Sequence, residues 1–238
     1  MKKLLFNTFL LLFVVVVNAQ KSDKLSIQYK TFSENIPDEL DDSFISNPTK
    51  MKYHLMAKEW MESVAFLLKI DGNTSEFETI NKVTLWHEKP NPAQTAFGLT
   101  RYYVDSISFV EQRTSFEQLY LIEEPSNQIK WELINETKVI LGYTCYKATF
   151  TKIVIKSVTI EAWYAPDLPY KFGPRGNHGL PGLILEIIQN EKLHFTATNI
   201  YWDDDVWVLK PTTGKKISRE ALGNMYEVAI EGMFLEKN

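Results

Sequence analysis

Apolar and polar residues alternate along most of this chain, and the alternation gives way to a helical spacing in two places. Leu25-Ser26-Ile27-Gln28-Tyr29-Lys30-Thr31-Phe32 has a period of two and predicts a half-buried strand. The acidic, broken stretch Ser33–Asn47 predicts a loop. Met51, Leu55, Ala57, Trp60 and Met61 then recur near helical spacing, which predicts a helix over Pro48–Ser63. Val64–Ile70 and Ser75–Ile80 flank Asp71-Gly72-Asn73. Asp-Gly suits a tight reversal, so this pair reads as a hairpin. Trp86–Gly98, with Pro90 and Pro92, is the least regular part and reads as a mobile loop.

From Arg101 onward the pattern is strand after strand: Tyr102–Val104, Ser108–Gln112, Gln118–Ile122, Ile129–Ile134, Lys138–Ile140, Tyr143–Phe150, Val158–Tyr164 and Leu183–Ile188. Leu193–Ile200 pairs with the strand before it across the polar turn Gln189–Lys192. A closing helix starts at Ser218, whose side chain can cap it, and runs to about Glu231. Short strands with little helix between them imply a mainly β fold with minor α. The expected form is one large curved antiparallel sheet, such as a half-barrel like that of periplasmic lipoprotein carriers, with one helix in the N-terminal half and one at the C-terminus.

Composition narrows the setting. Lys2 and Lys3 followed by the apolar run Leu4–Val17 and by Val17-Asn18-Ala19 read as a secretory signal over residues 1–19, leaving a single domain over 20–238. The run is short for a membrane span, no second one follows, and no cysteine stands at the cleavage point; the expectation is an exported, soluble protein without a lipid anchor. Cleavage removes two lysines and makes the formal charge of −4 two units more negative, which argues against nucleic acid as a partner. Cys145 is the only cysteine, so no internal disulfide is available and stability must come from a core. A chain that is 45% hydrophobic can supply one.

Candidate chemistry is sparse. The loop Gly173–Gly179 offers Arg175, Asn177 and His178 in a glycine-rich setting that suits a binding loop, although turn chemistry alone also explains its glycines and proline. In the run Gly179-Leu180-Pro181-Gly182-Leu183-Ile184, Pro181 fixes φ and Gly182 is expected at the positive φ of a type II turn. The ligand- or partner-binding candidates are therefore Arg175, Asn177, His178, Gly179, Pro181 and Gly182. His54, His87, His178 and His194 lack metal-ligand spacing, and Asp203-Asp204-Asp205 reads as a solvated turn, so no metal is expected. Glu161 and Glu186 read as outward-facing strand residues, and Cys145 as a buried thiol. No nucleophile elbow, P-loop or dinucleotide fingerprint is present; no catalytic residue and no cofactor are expected.

The glycine–proline run closely resembles the signature of the GLPGLI family of exported proteins. Lys138-Val139-Ile140-Leu141-Gly142-Tyr143-Thr144-Cys145-Tyr146-Lys147-Ala148, Ala162-Trp163-Tyr164, Leu168-Pro169 and Gly173-Pro174 stand ahead of it in that family's order. The resemblance implies a periplasmic location and an accessory role in the cell envelope. With the many aromatics it points to a non-enzymatic protein binding a hydrophobic small molecule or an outer-membrane protein partner. Two alternatives stay open: a hydrolase-like enzyme built on Arg175, His178 and Cys145 or Glu186, and a purely structural envelope protein.

Overall fold

The computed structural model describes residues 23–33, 47–81, 100–126, 129–153 and 157–235. The expected signal segment 1–19, nearly all of the acidic loop and the Trp86–Gly98 loop lie outside them.

Strand β1 (Lys24–Ser33) is followed by helix α1 (Pro48–Ser63) and then by β2 (Val64–Asp71), β3 (Thr74–Asn81), β4 (Arg101–Val104), β5 (Ser108–Ser115) and β6 (Gln118–Pro125). Next come β7 (Glu132–Ile140), β8 (Tyr143–Ile153) and β9 (Ser157–Ala165). A 3-10 turn at Pro174–Gly176 precedes β10 (Leu183–Gln189) and β11 (Leu193–Trp202), and the short β12 (Lys215–Lys216) leads into helix α2 (Arg219–Leu235). The twelve strands of the described residues form one open sheet in the order β12-β6-β5-β4-β3-β2-β1-β11-β10-β9-β8-β7. Every pairing is antiparallel except the parallel β12–β6 contact. The mainly β expectation holds, and the sheet is not closed into a barrel.

Local sequence explains the elements. In β2, Val64, Phe66, Leu68 and Ile70 are buried while their neighbours are not, which is the period-two pattern of a strand with one face on a core. Gly72 takes φ +55° in the turn to β3, where Asp71 O also accepts a bond from Thr74 Oγ1 at 2.9 Å. Ser218 Oγ accepts from Ala221 N at 3.1 Å and caps α2, satisfying one of the donors a helix start leaves open. Ile129–Ile134 and Lys138–Ile140 are not two strands. A bulge between Ile134 and Thr137 lets one strand, β7, run from Glu132 to Ile140, and the extra residues break the sequence alternation there.

Curvature follows from connectivity. β6 and β7 are ten strand spacings apart, about 48 Å in a flat sheet. Only seven peptide steps separate Pro125 from Glu132, a reach of at most about 25 Å. The sheet therefore has to curl until its borders approach. Its aromatic core shows the result: Phe77 of β3 and Phe195 of β11 are three strands apart, yet their ring centroids lie 6.5 Å from each other. Phe66 bridges them, 5.6 Å from Phe77 and 5.1 Å from Phe195. Helix α2 lays Leu222 on Tyr120 and Ile122 of β6. No helix among the described residues is long and apolar enough to cross a membrane.

The crossing from β9 to β10 is tied down by its own backbone. Leu183 N donates to Leu168 O, Ile184 N to Phe172 O and Gly179 N to Lys171 O, each at 2.9 Å. Tyr29 OH adds a bond of 2.6 Å to Ile184 O. The turn differs from expectation in one respect: Gly182 does not adopt positive φ, whereas Gly179 does, at +93°. Gly182 is required because a Cβ would run into the backbone of Ala165 and Pro166. Gly179 faces open space, with only Trp131 Nε1 as near as 4.0 Å.

The two glycines should therefore fail differently. Gly182→Ala should destabilise the fold by about 3 kcal/mol through overpacking against a backbone that cannot yield. Gly179→Ala should cost about 1 kcal/mol through φ alone. Urea denaturation of both variants measures the order.

Candidate functional site

The inward curl brings together side chains from both halves of the sheet. On β5, Phe109, Glu111 and Arg113 share one face by alternation, while Val110 points the other way and packs with Tyr103 and Leu121. Phe109 packs on the main core, so its face is the concave one. Glu111 sits there between Tyr102 of β4 and Ile122 of β6, and Glu124 lies opposite Phe109.

Arg219, the first residue of α2, joins the two carboxylates. Its Nη1 donates to Glu111 Oε2 at 2.9 Å, its Nη2 to Glu124 Oε2 at 2.7 Å and its Nε to Glu124 Oε2 at 2.9 Å. The guanidinium carbon lies 5.5 Å from the centre of the Phe109 ring. The other oxygen of Glu111, Oε1, accepts from Arg113 Nη1 at 3.1 Å. Burial by itself would raise the Glu111 carboxyl, whose side chain is 3% exposed. The charges of Arg219 and Arg113, and of Arg175 beyond them, outweigh burial and hold it below its ordinary value. Burial opposes the charge on Arg219 in turn, and Glu111 and Glu124 more than restore it.

Arg175 reaches the same face from the loop. It is held in the left-handed region at φ 57°, ψ 32°, and Gly176 follows at φ 71°. A Cβ on Gly176 would strike the Phe109 ring, so the turn is seated directly on β5. Arg175 Nη1 donates to Gln189 Oε1 at 3.3 Å, and its guanidinium carbon lies 5.2 Å from the Phe195 ring centre. Lys152 of β8 completes the group: four residues from the core residue Ala148, it projects from the same face. The residue as a whole is exposed, while its amine is crowded by the charged groups of the concavity. Burial first, then the charges of Arg175 and Arg219, push its ammonium down to about 8.

The other expected site residues stay in the loop. Asn177 is buried, and its Nδ2 donates to Pro174 O at 2.7 Å. His178 is buried with Nδ1 2.7 Å from Gly176 O and Nε2 against Ser126 O. It stacks on Phe109, and its own carbonyl accepts from Trp131 Nε1 at 2.8 Å. Gly179 and Pro181 are exposed, and Gly182 is buried. Only Arg175 joins the cluster. His194, which follows Leu193 and precedes Phe195 in β11, faces the opposite side of the sheet and stacks on Phe32 at 4.0 Å. It does not meet His178.

Glu186 faces outward but is buried there. It is 6% exposed and pairs with Lys138, while Thr196 Oγ1 donates to it at 2.7 Å. The bulge between Ile184 and Glu186 sets it into this network on the sheet's outer face. Glu161 takes a bond from Trp163 Nε1 at 2.7 Å and an ion pair from Lys147 at 3.0 Å. Burial pushes the Cys145 thiol up to about 11, where little nucleophilic thiolate forms at neutral pH. Among the described residues no three His, Cys, Asp or Glu side chains gather as a metal site.

The concave cluster thus presents hydrogen-bond donors framed by aromatic rings, and its buried carboxylate is saturated by two arginines. Glu111, Arg113, Glu124, Lys152, Gln189 and Arg219 carry no motif in the sequence. The one available signal was that Glu111 and Arg113 share the strand face of Phe109.

Breaking this pairing tests its structural weight. Arg219→Ala should destabilise by about 3 kcal/mol, the lower end of the cost of orphaning a buried charge, because Arg113 remains. A carboxylate held below its ordinary value stabilises the fold above about pH 4.5, and that stabilisation is lost as pH falls through the folded value. Glu111→Gln should therefore be less stable than wild type at pH 7 and should lose less stability below pH 4.5. Thermal denaturation across that range measures both.

The family model that matches is described as "N-glycanase peptide, N-terminal domain", over residues 104–220, slightly less than half of the chain. That match replaces the GLPGLI resemblance, which no finding supports, and with it the reading of a non-enzymatic envelope accessory protein. No curated protein matches the chain in sequence. Among solved structures, PNGF-II in a P21 crystal form is 15% identical with a TM-score of 0.50, covering 87% of this chain and 33% of that one. PNGF-II in a C2 form gives 15%, 0.49, 82% and 31%. An uncharacterized conserved protein from Thermus thermophilus gives 7%, 0.35, 83% and 91%. The chain spans about a third of the PNGF-II chains it matches, and the family-model match, residues 104–220, covers the segment that holds the concave cluster.

Proposed function

We propose that this chain is a glycanase-related protein that engages the sugar chain of an N-linked glycan on the concave face of its sheet. One observation carries the reading. The segment similar to an N-glycanase domain, residues 104–220, contains Phe109, Glu111, Arg113, Glu124, Lys152, Arg175, Gln189 and Arg219, which are the side chains the curl gathers.

Their chemistry suits a glycan. Sugars offer many hydroxyl oxygens and flat patches of C–H, so they are held by fixed polar groups beside aromatic surface. Here Arg175 and Arg219 stand 5.2 Å and 5.5 Å from the ring centres of Phe195 and Phe109, and Arg113 stands 5.7 Å from that of Tyr226. Arg175 is held by a strained turn, which fits it in advance for binding and lowers the ordering cost.

Titration of the purified chain with an N-glycopeptide by isothermal calorimetry tests the reading. Saturable binding that weakens at least tenfold in Arg175→Gln, without loss of thermal stability, is the expected outcome. Absence of binding to both the glycopeptide and its released glycan would overturn it.

A further inference from the structure

Among the described residues the concave cluster is not charge-balanced. Four cations, Arg113, Arg175, Arg219 and Lys152, face two carboxylates, Glu111 and Glu124. Both carboxylates are already engaged by Arg219, and Glu111 also by Arg113. Arg175 and Lys152 make no ion pair with a described carboxylate; among the described residues the polar partner of the Arg175 guanidinium is the neutral amide of Gln189, at 3.3 Å. Arg113 Nε is buried with no acceptor among the described residues. A buried donor left unpaired costs about 1–3 kcal/mol, so this one is unusual in a fold that satisfies most such groups.

From this geometry we infer that the concave cluster is a binding site for an anionic substituent, a carboxylate, sulfate or phosphate ester, carried by the glycan. The inference rests on the glycan reading above for the carrier, but not for the anion. The whole chain is acidic, with a formal charge of −4, so a patch of four cations does not follow from its bulk composition. The guanidinium forks of Arg175 and Arg219 suit planar or tetrahedral oxyanions, and Lys152 supplies a point charge on the solvent side. At the centre of the cluster Glu111 is 3% exposed, and charges beside it are screened less than on open surface.

Lys152 adds a pH signature. The groups acting on it are the cations Arg175 and Arg219 and the carboxylates Glu111 and Glu124. With its ammonium lowered to about 8, it is charged at neutral pH and neutral above that value. An arriving anion offsets the crowding of like charges, so anion binding should take up or retain a proton at Lys152. Affinity should fall as pH rises through about 8.

Three ligands separate this inference from the reading beneath it: a glycopeptide ending in carboxylate-bearing sugars, its desialylated counterpart, and inorganic sulfate. Calorimetry with the full chain should show the acidic form binding at least tenfold more tightly than the neutral one. That margin should shrink in Lys152→Met and between pH 7 and 9. The charge-matched Lys52→Met variant on α1 should leave it unchanged. Equal affinity for the acidic and neutral glycopeptides would overturn the inference and leave the glycan reading standing. Sulfate binding that is lost in Lys152→Met, without any glycopeptide binding, would support the anion site and overturn the glycan reading. No response to any of the three ligands would overturn both.

Discussion

Between Pro125 and Glu132 the chain must pass from β6, next to one border of its sheet, to β7 at the other, and it has too few residues to do so across a flat surface. Everything that faces inward depends on that limit. Antiparallel meanders on either side, β2–β6 and β7–β11, could each lie nearly flat if left alone. Joined by so short a connection, they must bend toward one another. Phe195 of β11 then meets Phe66 and Phe77 of the neighbouring strands β2 and β3, although β1 lies between. The same bend seats Gly176, next to Arg175, and Arg219, from the final helix, on Phe109 of β5. The cluster is a product of curvature before it is a product of any motif.

A concave face could have been filled by apolar side chains throughout, and most of this one is. Glu111 is the exception that organises the rest. A carboxylate with 3% of its side chain exposed is tolerable only when each oxygen is answered, and Arg113 and Arg219 answer one apiece. That requirement fixes where α2 begins, because Arg219 is its first residue, and it orients the helix over β6. Packing and charge are thus coupled at one end of the fold, while the main core is apolar side chains.

Much of this architecture was visible in the sequence, because its elements obey local rules. Helix α1 was legible from spacing, the β2–β3 hairpin from Asp71-Gly72, and the cap of α2 from Ser218. β7 was misread as two strands because its bulge interrupts the alternation on which such reading relies. The site was far less legible. Period two says that Glu111 and Arg113 share a face with Phe109, but not that this face is the inner one; that is decided by strands distant in the chain. Lys152 and Arg219 look like ordinary surface charges until the curl brings them near Glu111 and Glu124. The glycine–proline run misled for a related reason. Its residues answer to backbone proximity, as the contact of Gly182 with Ala165 shows, and similar turns can arise wherever two backbones must pass closely.

The place of β1 bears on how the molecule assembles. β1 lies between β2 and β11, pairing residues 24–33 with residues 193–202, and it is the seam between two otherwise sequential meanders. Each meander can form from neighbours in the chain, with small loop-closure entropy. The seam cannot: its partners are about 170 residues apart, and such distant pairings form slowly. During synthesis β1 would emerge first and remain half-paired, with β2 along one side only, until Trp202 had left the ribosome. The order of assembly therefore runs outward-in, with the two wings able to form early and the centre of the sheet closing last.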